Sequence, residues 1–144
     1  MKKTLLIICI LFLIIMLILF MNLKQVQKQN RELQKFNSEY EFYNREDLCG
    51  VDITTVINKA VDNNEKYEVK KDENGYYVPN EENSIKIYIK LINNEKTYEM
   101  ERIKQIGLES FVEFFGEVDF KCTDIEYHEK SGKISKMTFE SLEY

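Results

Sequence analysis

The chain has 144 residues and a formal net charge of −5, from 20 Lys+Arg against 25 Asp+Glu. That length is one domain's worth and leaves no room for a catalytic domain beside a regulatory one. Lys2 and Lys3 are the only charges before a long apolar run, so the remainder carries 18 against 25, or −7, which excludes a basic nucleic-acid-binding domain. With 5 Gly, 1 Pro and no repeated period, collagen-like, mucin-like and low-complexity classes fall as well.

Residues 5–21 (LLIICILFLIIMLILFM) contain no charge and no polar amide. At about 1.5 Å per residue, a helix from Thr4 to Leu23 spans the roughly 30 Å hydrocarbon core of a bilayer. The alternative is a cleaved export signal, which needs a shorter apolar region and small residues before the cut. Residues 15–27 offer no Ala, Gly or Ser, so a retained signal-anchor is expected, with the lipid bilayer as the partner of residues 4–23. Cys9 follows Ile8 deep in the run and reads as an apolar filler, not a lipid-modified cysteine. The flanks compete over orientation: Lys2 and Lys3 stand before the run, and Lys24, Lys28, Arg31 and Lys35 after it. The Lys-Lys start and the acidic remainder together predict a single-pass protein of the cell membrane with an extracytoplasmic soluble part.

After Leu23, apolar or aromatic residues recur at Val26, Leu33, Phe36, Tyr40 and Tyr43, spaced as one stripe on a charged helix. The spacing predicts an amphipathic stalk over 24–48. Its Phe36, Tyr40, Phe42 and Tyr43 form either a candidate interaction surface, for a protein partner or a second copy, or an aromatic end packed on the chain's own sheet. Heptads are few and Gln29 occupies a seam position, which weighs against a coiled coil. Gly50 reads as a break. Asp52 reads as the N-cap of a second helix bearing Ile53, Val56, Ile57, Ala60 and Val61, stopped by Asn63 and Asn64.

From there the period becomes two. Tyr67 to Lys71 and Tyr76 to Val78 flank Asp72-Glu73-Asn74-Gly75 as a hairpin, ended by Pro79. Ser84 to Ile92 places Ile85, Ile87, Ile89 and Leu91 on one face, and Asn93-Asn94 turns it into a strand over Thr97 to Ile103. A third helix is expected at Leu108 to Phe115, stopped by Gly116, then strands Val118 to His128 and Ile134 to Glu140 about a Ser131-Gly132 turn. The expected fold is α+β: a transmembrane anchor (1–23), the stalk (24–48), and a domain (49–144) of antiparallel sheet packed on two short helices.

Chemistry-bearing residues are sparse. His128 has no second histidine to complete a zinc set and reads as a solvated turn-edge residue. Cys49 and Cys122 show no CxxC spacing; they are a candidate disulfide if the domain is exported, because the helix from Asp52 packs toward the layer of Val118 to Cys122, and two thiols otherwise. Glu113, Glu117, Asp119, Asp124 and Glu126, like the 72–74 turn, read as solvated acids and not as a calcium site, Gly75 standing at the fourth and not the sixth position. No nucleotide loop or nucleophile elbow is present, so neither cofactor nor metal nor catalytic residue is expected.

The stretches GVDITTVINKAVDNN, FFGEVDFKCTDIEYH and SGKISKMTFES, with the lysine start and single anchor, resemble a family of small uncharacterised membrane-anchored proteins of low-GC Gram-positive bacteria. That resemblance implies a cell-envelope setting and transfers no functional residue. In outline the chain is also similar to type IV pilin-like subunits, but Lys3 stands before the anchor and no acid precedes Glu32. The expected function is a membrane-anchored, non-enzymatic interaction or assembly domain; the alternatives are a pilin-like fibre subunit and an envelope enzyme using clustered carboxylates.

Overall fold

A computed structural model describes residues 2–92 and 96–142. The chain divides into two compact units, residues 1–35 and 36–144. The first is helical from Lys2 onward, part of helix α1 (Lys2–Glu41), and its apolar side chains from Leu5 to Leu23 are about half exposed or more. This helix is long and apolar enough to cross a membrane.

The second unit is α+β, with a five-stranded sheet. After the end of α1 come β1 (Leu48–Cys49), α2 (Gly50–Lys66), β2 (Lys86–Leu91), β3 (Lys96–Glu99), α3 (Met100–Ile106), α4 (Leu108–Phe115), β4 (Asp119–Tyr127) and β5 (Ile134–Ser141). The strand order is β1-β4-β5-β2-β3. The expected antiparallel sheet is corrected to a mixed one: β2 and β5 run parallel, Lys86 opposite Lys136 and Ile89 opposite Phe139. The two hairpins, β2–β3 and β4–β5, are each antiparallel, but they meet through their most apolar strands. Ile87, Ile89, Ile134, Met137 and Phe139 are all fully buried, so both strands must be central. The α3–α4 pair returns the chain from the end of β3 to the start of β4, and parallel pairing requires such a crossover.

Several local expectations change. The alternation from Thr97 to Ile103 breaks at Glu99, because Met100 and Ile103 are buried at helical spacing on α3. The Tyr67–Val78 hairpin keeps its turn, with Gly75 at φ 83° and Asp72 Oδ1 accepting from Asn74 N and Tyr76 N, each at 2.9 Å. Only one bridge, Lys71 to Tyr77, forms around it. The Asn93-Asn94 turn lies outside the described residues.

Helix α2 begins earlier and ends later than its pattern suggests. Its N-cap is Cys49, and Asp52 sits three positions in, its Oδ2 accepting from Cys49 N at 3.1 Å. Gly50 is the first helical residue, not a break. Its N–H donates to Gly116 O at 3.1 Å, and a Cβ there would lie 2.5 Å from the Phe115 carbonyl carbon. Only glycine lets α2 and α4 approach so closely.

Asn63 and Asn64 do not stop the helix; they are buried on it. Glu68, at φ 51°, ends it instead: Val69 N donates to Asn64 O at 2.8 Å and Glu68 N to Glu65 O at 3.1 Å, the two bonds of a Schellman turn. Asn64 Nδ2 donates to Ile85 O and Ile85 N donates to Asn64 Oδ1, both at 2.8 Å, so one amide occupies both backbone groups of the residue leading into β2. Asn37 near the end of α1 does the same for the turn before β5, bonding Gly132 O at 2.9 Å and Ile134 N at 3.0 Å. Replacing Asn64 by leucine keeps the branching and heavy-atom count of the side chain but leaves both Ile85 groups buried without partners, at a cost of about 2–4 kcal/mol. Urea unfolding of the full chain in detergent, followed by near-ultraviolet dichroism of its tyrosines, measures it; a loss below about 1 kcal/mol would show that the amide clamp is dispensable.

Candidate functional site

The aromatic residues of the stalk divide. Tyr40 and Tyr43 are buried in the core of the second unit, and Phe36 packs partly against it. Tyr40 donates its hydroxyl to Lys59 O on α2 at 3.0 Å, and burial raises its pKa. Phe42 alone stays outward, 60% exposed, with the Arg45 guanidinium 4.8 Å from its ring centre. The interaction surface expected at Phe36, Tyr40, Phe42 and Tyr43 is therefore reduced to Phe42, because the period that makes a seam also lets a helix end close a core.

Cys49 and Cys122 are free thiols. In the β1–β4 pair Leu48 opposes Phe120 and Cys49 opposes Asp119, so Cys122, two residues beyond Phe120, shares Leu48's face and not that of Cys49. The register also offsets the two cysteines by three residues, about 10 Å along the strands, beyond the roughly 7 Å that a bridge tolerates. The disulfide expectation is corrected on geometry. Each thiol has a local role: Cys49 Sγ donates to Asp52 Oδ2 at 3.5 Å, and burial pushes the Cys122 thiol up.

His128 is buried, not solvated. Its Nε2 lies 2.7 Å from Ser84 O, and since a carbonyl only accepts, Nε2 carries a proton. The carbonyls of three successive residues, 82 to 84, are taken by side chains from elsewhere: Ser131 Oγ on Glu82, Asn63 Nδ2 on Asn83 and His128 Nε2 on Ser84. The histidine pins a loop.

The carboxylates do not converge. Glu113 lies on α4, Glu117 and Asp119 follow it, and Asp124 and Glu126 run along β4, where both pair with Lys136. Among the described residues no three metal-ligating side chains come together.

A buried charge cluster, the one found among the described residues, is one that sequence patterning missed. Lys86 Nζ lies 2.5 Å from Glu99 Oε2 and 2.9 Å from Glu101 Oε1, and it reaches Tyr77 O at 3.4 Å. Glu101 Oε1 also accepts from Tyr77 N at 3.0 Å. Lys86 and Glu101 thus hold both backbone groups of Tyr77 and lock the 71–77 bridge to the sheet. The signal was a lysine inside an alternating isoleucine strand, on the face opposite Ile85 and Ile87.

An outward-facing apolar feature is a groove of about 190 Å³ between β3, α3 and α4, lined by Leu91, Tyr98, Ile103, Ile106, Phe111 and Phe114 among others. It arises because the α3–α4 crossover overhangs the edge strand: β3 is last in the sheet, and no further strand fills the space beneath the helices. Ile106 and Phe114, at its mouth, are 54% and 74% exposed. The side of Leu108 to Phe115 expected to be buried, that of Leu108, Phe111, Val112 and Phe115, is buried at Phe111 and half-buried at the other three, while Phe114 lies off it and is exposed.

Comparison of the chain with protein-family models, with curated proteins and with solved structures found no match.

Proposed function

We propose that this chain is a membrane-anchored, non-enzymatic interaction domain, held in the bilayer by residues 4–23 and presenting its α+β unit outside the cytoplasm. The observation that carries the reading is the apolar groove between β3, α3 and α4, with Phe114 and Ile106 exposed at its mouth. Large apolar side chains gathered at a concave edge are costly to leave in water, and such surfaces are where proteins dock. The anchor reading is supported by the apolar side chains from Leu5 to Leu23, all of them exposed, since a helix apolar all round needs lipid about it.

The test places a photoreactive phenylalanine analogue at Phe114 of the full chain in native membranes, with the same analogue at Phe42 as a comparison. A crosslinked protein adduct from position 114, on a chain whose intact mass retains residues 1–23, is the expected result. Adducts to lipid alone from position 114, or a mature chain beginning after residue 15, would reject the reading. Labelling by a membrane-impermeant thiol reagent of a cysteine introduced at exposed Val51 reports the side of the membrane.

A further inference from the structure

Resting on the anchor reading, we propose that Lys24, Lys28 and Arg31 form a binding site for the phosphate-bearing headgroup of an anionic lipid, in the leaflet where the anchor ends. The first observation is how charge is sorted around the helix. Helix α1 runs unbroken from Lys2 to Glu41, so residues 24, 28 and 31 stand one turn apart on a single face, and Lys35 continues the line. All three side chains are exposed. The other polar positions from Asn22 to Gln34 are neutral amides, apart from Glu32. Lys28 meets Glu32 at 3.8 Å, but that pair is itself exposed and screened by water, and the face stays net positive. Solubility is served by charge on every side of a helix, whereas this segment puts its cations on one. Beyond residue 35 the chain has 14 Lys+Arg against 24 Asp+Glu, so an otherwise acidic sequence gathers its cations beside the anchor.

The second observation is the direction in which they reach. A helical side chain leans toward the N-terminus of its own helix, and for a segment that follows the anchor this is the direction of the bilayer. Lys24 does so: its Nζ lies 4.6 Å from the centre of the Phe20 ring, one turn back inside the apolar run. At about 1.5 Å per residue, Lys24, Lys28 and Arg31 start roughly 2, 8 and 12 Å beyond Leu23, and a headgroup layer is about 5–8 Å deep. Side chains of about 6 Å that lean back bring all three cations to that layer. Sharing a face, they arrive at one place on the circumference of the helix, above the same headgroup. Lys35, about 18 Å out, belongs to the line but not to the site. The anion that a bilayer offers at that level is the phosphate of its lipids. Orientation signals count flanking cations whatever face they occupy, so they do not account for the sorting onto one.

The experiment reconstitutes the full chain in phosphatidylcholine vesicles that carry a trace of spin-labelled phosphatidylglycerol or spin-labelled phosphatidylcholine. The fraction of each label immobilised by the protein is read by electron spin resonance. Phosphatidylglycerol should be preferred about threefold at low salt. The preference should vanish at 1 M salt, where the screening length falls to about 3 Å, and in the triple variant Lys24→Gln, Lys28→Gln, Arg31→Gln. A relocated variant, Lys28→Gln with Gln29→Lys and Arg31→Gln with Asn30→Arg, keeps the net charge but spreads it around the helix, and should lose at least half of the preference.

Equal immobilisation of the two lipids by the parent chain, or a preference that survives high salt or the triple variant, overturns the site. So does a relocated variant that matches the parent, because net charge would then suffice without the shared face. In each of these cases the anchor reading stands, since lipid of both kinds is still immobilised. A parent chain that an alkaline carbonate wash strips from the vesicles, and that immobilises neither lipid, overturns the anchor reading and the site together.

Discussion

Gly50→Ala is expected to destabilise the folded unit by about 3 kcal/mol or more, at the upper end of what an overpacked core site costs. The added Cβ would fall 2.5 Å from the Phe115 carbonyl carbon and 3.0 Å from Gly116 Cα. Both are backbone atoms, which cannot swing away as the tip of a side chain does. Relief requires α2 and α4 to separate, which breaks the Gly50 N–H to Gly116 O bond and opens the layer where Phe111, Phe115 and Phe120 pack, their ring centres 5.1 and 6.2 Å apart. Urea unfolding of the full chain in detergent, read by near-ultraviolet dichroism, gives the loss. A midpoint within error of the parent would mean that the two helix ends are not held together as described. Because α4 forms one wall of the groove, the same substitution should also weaken whatever crosslinking Phe114 supports.

Lys86→Met should cost about 4 kcal/mol, since it strands the Glu101 carboxylate in the interior. Glu101 is 5% exposed, and among the described residues its Oε2 already has no partner, so the loss of Lys86 leaves it only the Tyr77 N–H there. The double variant Lys86→Met with Glu101→Leu should recover most of the loss, because a buried pair replaced by apolar residues of similar volume is near neutral. A double variant no more stable than Lys86→Met would show that the cluster is worth more than its own desolvation.

The pH dependence of the parent follows from the same contacts. Burial by itself lowers the Lys86 pKa, but hydrogen bonds and charge from Glu99 and Glu101 outweigh it and hold the group above its ordinary value. A group raised on folding contributes stability that is fully present below its unfolded pKa and is lost as pH climbs through the folded one. The contribution of Lys86 is therefore constant through neutrality and falls only at strongly alkaline pH, where Lys86→Met should show no corresponding loss.

The long N-terminal helix, the α+β class and the inward rows of α2 and β2 were legible because each follows from local periodicity. Twelve or more apolar residues in succession need no tertiary knowledge to be read as one helix, and Ile85, Ile87 and Ile89 alternate too strictly to be anything but a strand with one buried face. Three things were not legible, and each depends on what lies across from a residue and not on what lies beside it. The parallel meeting of β2 and β5 is chosen by which strands carry the most surface to bury. Asn63, Asn64 and His128 carry turn and surface propensities, yet they are buried because loop carbonyls and amides at 83–85 need partners. Gly50 carries the signature of a break and serves as a helix–helix contact.

The candidate site divides along the same line. Sequence alone determined that Phe36, Tyr40 and Tyr43 share a stripe and that Leu108 to Phe115 is an amphipathic helix. Only the tertiary structure decided that the first stripe is consumed by the unit's own core, while Phe114 and Ile106 are left outside at the sheet edge. The reason is that amphipathicity specifies a face to be covered and not the cover. The cover for α1's end is α2 and the β5 turn, within the chain; beside the α3–α4 crossover the sheet ends at β3, and Phe114 and Ile106 stay exposed.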